Sequence, residues 1–174
     1  MRRRLHAAAF LCAAAHNAFE LGCGVGLMFQ PELGLGTASA MWSAVFPAAL
    51  AGASCGGPGC DAPLAAVLGM NLAAAAVHYT LWPWRLRRGV PLLTAAEGLG
   101  DEQLPAYNAI LLSWSAAGLL ALAVEVSGGR RRWAAAGFLL ALPLRRHARR
   151  HFAWIRGQSR ANPAWWNRGV HGGA

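Results

Sequence analysis

Residues 5–29, LHAAAFLCAAAHNAFELGCGVGLMF, decide what class of protein this is. They follow Arg2, Arg3 and Arg4 and run for 25 residues without a basic side chain other than histidine. At about 1.5 Å per residue such a stretch crosses a hydrocarbon core of about 30 Å. A secretory leader opens in the same way, but its apolar region stops within about 15 residues. Here Leu21, Val25, Leu27 and Phe29 carry the run further, so it reads as a membrane helix.

Four more apolar segments follow, at residues 33–53, 62–84, 106–126 and 133–144. The first two are uncharged, and Gly34, Gly36 and Pro47 weaken or kink the earlier one. Residues 106–126 carry a single acidic group, Glu125, at the far end. The last segment has only 12 residues, short of the roughly 17 that a span needs unless Arg132 and Arg145 snorkel. The expected fold is all-α, a polytopic transmembrane bundle of four to five helices over residues 1–144. An Arg/Trp-rich basic tail follows over residues 145–174. Its opening, LRRHARRHFAWIR, reads as a cationic interfacial helix attracted to anionic lipid headgroups.

Composition agrees with this reading. Hydrophobic residues make up 56% and charged residues 13%, against roughly 25% charged in soluble domains. Those figures exclude an ordinary soluble domain, a collagen, a coiled coil, a disordered tail and a secreted disulfide scaffold. All 16 basic residues are arginine, which against 7 acidic ones gives a net charge of +9. The arginines cluster between apolar runs, as membrane flanks do, and no motif points to nucleic acid.

Arginine is retained on the cytoplasmic side of a span, and three topologies compete under that rule. With residues 33–53 outside and four other crossings, 13 arginines lie inside against 3 outside. With residues 133–144 not crossing, the ratio is the same. With all five segments crossing, the better orientation places 10 inside with the tail against 6 outside. Every favoured topology makes a multi-pass cell-membrane protein with a cytoplasmic tail. Segment length favours five helices, the fifth one short. The side of the N-terminus and of the loop at residues 54–61 stays open.

The polar residues inside the apolar runs are the candidate site. His16, Asn17 and Glu20 lie mid-way along the first segment, where an acidic group costs roughly 2.5–3.5 kcal/mol on insertion scales. His16 and Glu20 are four residues apart and share one helix face, so they can pass a proton or a hydrogen bond. Asn71 and His78 share a face of the third segment. Tyr107 and Asn108 open the fourth on the same side of the membrane, and Glu97 is in the joining loop. The catalytic candidates are therefore His16, Glu20 and His78. The ligand-binding candidates are Asn17, Asn71, Tyr107, Asn108 and Glu97.

The spacing of His16 and Glu20 on an apolar helix is similar to the His and Glu arrangement of the EXPERA family, sterol isomerases that shift a double bond by protonation. The likeness covers His16 to Glu20. The Asn-x-x-Trp that the family carries on a membrane helix falls here at Asn162 and Trp165, in the polar tail. What the resemblance implies is a chemical precedent, proton transfer on a lipophilic substrate.

Two functions follow. One is an enzyme or binding protein for a lipophilic small molecule. The other is a non-catalytic assembly or lipid-organising protein whose polar residues only join helices. A transporter would need a homo-oligomer to supply a second half. No cofactor motif is present. Cys55 and Cys60 flank Gly-Gly-Pro-Gly and form a disulfide if their loop faces an oxidising side, or remain two thiols if it does not. Cys12 and Cys23 read as small core residues. His147 and His151 have metal-ligand spacing, yet Arg145, Arg146, Arg149 and Arg150 surround them and disfavour a cation. Gly22 and Gly26 are expected to present a small-xxx-small face for close helix packing.

Overall fold

The computed structural model describes residues 3–55 and 57–172, so Arg2 of the leading arginine cluster lies outside the described residues. The chain is mostly helical. Helix α1 spans Arg4–Cys23, α2 Gln30–Ser54, α3 Asp61–Leu81, α4 Leu104–Leu120, α5 Arg131–Leu140 and α6 Leu144–Ala161. Among the described residues, three stretches are long and apolar enough to cross a membrane: α2, α3, and α4 continued through the π-helical turn Ala121–Glu125.

The leading apolar stretch is not one helix. Gly24 takes the left-handed conformation at φ 78° and its N–H caps the carbonyls of Glu20 and Leu21, which ends α1 at Cys23. A turn follows, closed by Phe29 at φ 69°. The 20 residues of α1 still amount to about 30 Å. Its polar residues keep it below the apolarity of the other three. In α2 the helix breaks at Gly34, whose φ of 75° and ψ of 163° are non-helical.

Residues 82–84, expected at the end of the third segment, leave the helix. Trp84–Arg87 (β1) and Val90–Leu93 (β2) pair as an antiparallel hairpin. Arg88 and Gly89 between them both have positive φ, 52° and 79°, as a two-residue type I′ turn requires. No strand is expected from the sequence, because the apolar run Leu81–Trp84 masks the hairpin's start. Asn108 pins it. Its side chain accepts from the Leu93 N–H at 2.8 Å and donates to the Leu93 carbonyl at 3.0 Å, both buried. Asn108→Ala is expected to lower unfolding stability by about 1–3 kcal/mol. Thermal unfolding in mild detergent checks this.

The two ends of the bundle are clear from their contacts. At one end Arg3 pairs with Asp61 and donates to the Cys55 carbonyl at 2.8 Å, and Arg130 pairs with the same Asp61. Cys55 and Cys60 are joined as a disulfide here, with Cα atoms 6.3 Å apart. At the opposite end His151 of α6 meets the Val25 carbonyl at 3.0 Å. There too Gly169 N–H bonds Gly24 O at 3.1 Å, Phe152 stacks edge-on against Trp82, and Arg156 pairs with Glu97 at 2.5 Å. Among the described residues, α1, α2, α3 and α4 each run from one end to the other, and α5, only about 15 Å long, covers part of that distance before the turn at 141–143 leads into α6.

Close packing occurs away from the glycines where it is expected. Around Gly22 there is nothing within 4 Å of the point a Cβ would occupy, and Gly26 lies past the end of α1 against Ile155 and Gln30. The intimate contact is α3 against α5. A Cβ on Gly69 would overlap the carbonyl oxygen of Ala134 and lie 2.7 Å from its carbon, and one on Gly137 would meet the Ala66 carbonyl in the same way. Backbone touches backbone in both directions, as small residues allow in lipid. On the outside, Leu11, Leu119, Val124, Leu139 and Leu140 are more than half exposed, an apolar surface of the kind that faces lipid or a partner.

Candidate functional site

α1 and α3 run parallel, from the disulfide end toward the hairpin end. Glu20 and His78 therefore sit at similar heights, and α4 brings Tyr107 in behind them. Glu20 Oε1 is the hub. It accepts from the Tyr107 hydroxyl at 2.6 Å and lies 3.3 Å from His16 Nε2 and 3.9 Å from His78 Nε2. His16 Nε2 is also 3.1 Å from the Tyr107 oxygen. The two imidazoles meet edge to face, with centroids 4.6 Å apart. Trp114 packs beside both and donates its indole N–H to Asn71 Oδ1.

The hydrogen bonds set the tautomers. His78 Nδ1 faces the Ala75 carbonyl at 3.2 Å, so it carries the proton and leaves a lone pair on Nε2. That lone pair confronts a carboxylate oxygen. Two acceptors facing each other across 3.9 Å call for a positive charge or a donor between them: a proton, a ligand hydroxyl or a metal ion. With the Tyr107 hydroxyl spent on Glu20, its oxygen is free to accept from His16 Nε2–H. His16, Tyr107 and Glu20 then form one relay, with His16 Nδ1 buried and without a partner among the described residues.

This cluster forms one wall of a cavity of about 380 Å³ between α1, α2, α3 and α6. His16, Asn17, Glu20, Asn71 and His78 line it, while the opposite walls are apolar, with Phe10, Trp42, Phe46 and Phe152 among them. Tyr107, 1% exposed, stands behind the carboxylate and outside the lining. Volume and lining match small-molecule sites, which run to roughly 300–1,000 Å³ with few polar groups on an apolar wall.

Two expected ligand residues are placed elsewhere. Asn108 holds the hairpin, and Glu97 holds α6 through Arg156. Two features escape a reading of the sequence: Trp42 and Phe46 of α2 close the far wall, and Trp114 fixes Asn71. The ligand atoms of His16, Glu20 and His78 all lie within 4.8 Å of one another, a set able to hold a metal ion; the one-turn spacing supplies the first two, and the parallel course of α1 and α3 brings the third.

His151 also lines the cavity. Burial pushes its imidazole below the ordinary value, and His147 adds to the push, while the Val25 carbonyl and the carboxylates of Glu20 and Glu32 oppose it. The folded state keeps His151 neutral and the unfolded state protonates it below about pH 6.5. The unfolded state therefore binds more protons in that range, and stability falls as pH drops below about 6.5. Exchange of the α6 amides, taken relative to their intrinsic rates, is expected to rise as pH falls from about 7 to about 5, and His151→Gln to flatten that response.

No known protein family matches the chain, and neither a curated protein nor a solved structure resembles it.

Proposed function

We propose that this is a multi-pass membrane protein that binds a lipophilic small molecule in the α1–α2–α3 cavity and moves a proton on it. The observation that carries the reading is the meeting of His16, Glu20 and His78 at the wall of an apolar cavity of about 380 Å³. Glu20 is the group that accepts or delivers the proton. His16 and Tyr107 relay it, and the Nε2 lone pair of His78 accepts from a ligand hydroxyl and so orients the ligand. Proton transfer by a positioned group contributes roughly 10²–10⁴ to the rate of a reaction, and isomerisation or cyclisation of an activated double bond is the class of step it serves.

The orientation that fits this reading puts the disulfide end outside and the hairpin, α6 and tail in the cytoplasm. Two features support it. Arg85, Arg87, Arg88 and the tail arginines share one end of the bundle, the larger share of the positive charge. The other end carries the Cys55–Cys60 bridge, which suits an oxidising compartment.

Mass spectrometry of molecules extracted from gently purified protein tests the function. The expected result is one lipophilic species with wild type, and its loss or replacement by an unconverted precursor with Glu20→Gln and His16→Ala at normal expression. If both variants lose folded protein and wild type yields no such molecule, the polar residues only join helices. One observation favours a second reading. Two imidazoles and a carboxylate within 4.8 Å are a donor set suited to zinc or iron(II). Stoichiometric metal in the purified protein, lost in His78→Ala, would replace proton relay by metal-assisted chemistry at the same atoms.

A further inference from the structure

A second hollow of about 360 Å³ adjoins the cavity. Phe29, Met70 and Leu144 line both, so the two are neighbours separated by those side chains. The character of the walls changes across them. The inner cavity is apolar up to His16 and Glu20, whereas the outer hollow is bordered by Arg146, His147 and Arg150 of α6. Arg146 and Arg150 are one helical turn apart on one face and both exposed. Among the described residues neither has a carboxylate partner, unlike Arg3, Arg130 and Arg156, which pair with Asp61 or Glu97. No acidic side chain is among the residues that line the hollow, and Glu32 lies 3.5 Å from His147 Nε2, which leaves the hollow with an excess of positive charge.

An apolar cavity with a reactive polar end, capped at its other side by two unpaired guanidinium groups, is the complement of an amphiphile. We propose that the ligand is a single-chain amphiphile with a phosphate-class headgroup. The headgroup rests on Arg146 and Arg150, and the chain passes Phe29 and Leu144 to reach His16, Glu20 and His78. Guanidinium forks match phosphate oxygens in geometry as well as charge. An inner volume of about 380 Å³ sits near the lower end of small-molecule sites, too small for the two chains of a bilayer phospholipid. The inference names the ligand class and rests on the cavity reading above.

Native mass spectrometry of the full-length protein in a neutral detergent tests it. The probes are oleoyl lysophosphatidate, monoolein and inorganic phosphate. Wild type is expected to bind lysophosphatidate at least about tenfold more tightly than monoolein. Arg146→Gln/Arg150→Gln should abolish that preference while monoolein binding persists. Ala49→Phe, which fills the cavity from α2, should abolish binding of both lipids, and Val67→Trp should do the same from α3 if the first variant fails to fold. Equal affinity of wild type for the two lipids would overturn the headgroup assignment and leave the cavity reading standing. Failure of both lipids to bind wild type would overturn the cavity reading itself. Lysophosphatidate binding that survives both cavity-filling variants, or that millimolar phosphate displaces fully, would reduce the arginines to a surface anion contact and overturn the inference.

Discussion

Gly137→Leu is expected to separate α5 from α3 and leave the protein unable to keep its native packing in detergent. Even a methyl at this position would overlap the Ala66 carbonyl oxygen and sit 2.7 Å from the carbonyl carbon. The obstacle is backbone inside a helix, which cannot rotate aside as a side-chain tip can. The helices must part, and the reciprocal contact of Gly69 with Ala134 is then lost as well. Overpacking costs typically about 1–3 kcal/mol and more where the surroundings are rigid; here about 3 kcal/mol or more is expected, a large share of a marginal stability. Gly22→Ala is the control. It adds a methyl to a helix position with nothing within 4 Å and should change stability by less than about 1 kcal/mol. Thermal unfolding and the monodispersity of both variants check the contrast. Equal melting of the two would mean that α5 is not held by this contact.

The second large effect concerns the relay. Tyr107→Phe removes the donor 2.6 Å from Glu20 and the oxygen 3.1 Å from His16, while Tyr107 itself stands outside the cavity lining. Ligand should therefore still copurify. Proton exchange into the bound molecule should slow by about 10²-fold, within the range for a positioned acid or base. Deuterium incorporation into the ligand from heavy water, followed by mass spectrometry, reads this directly. Unchanged exchange would show that Tyr107 serves packing alone.

Much of the candidate site is legible in the string HNAFE because helical periodicity is local. Four residues place His16 and Glu20 on one face whatever surrounds them. That His78 reaches the same carboxylate is conditional on topology, since only parallel first and third helices set them at one height. The roles of Asn108 and Glu97 are not legible. Both are polar residues near a membrane boundary, and nothing in their neighbourhood says that one binds the Leu93 backbone and the other Arg156. The walls from α2 and α6 are hidden for the same reason. Aromatic residues on an apolar helix carry no sign of which neighbour they will face.

The linear chain alone determined the apolar segments, the basic tail and the proton-capable pair, because hydropathy, charge and helix period are properties of neighbouring residues. Which glycines touch and which helices enclose the cavity were decided only by tertiary structure. Gly24, Gly69 and Gly137 look alike in sequence. Gly24 ends a helix through its own left-handed φ and its bonds to Glu20 and Leu21, whereas Gly69 and Gly137 admit a neighbouring backbone, and that contact depends on residues far away along the chain.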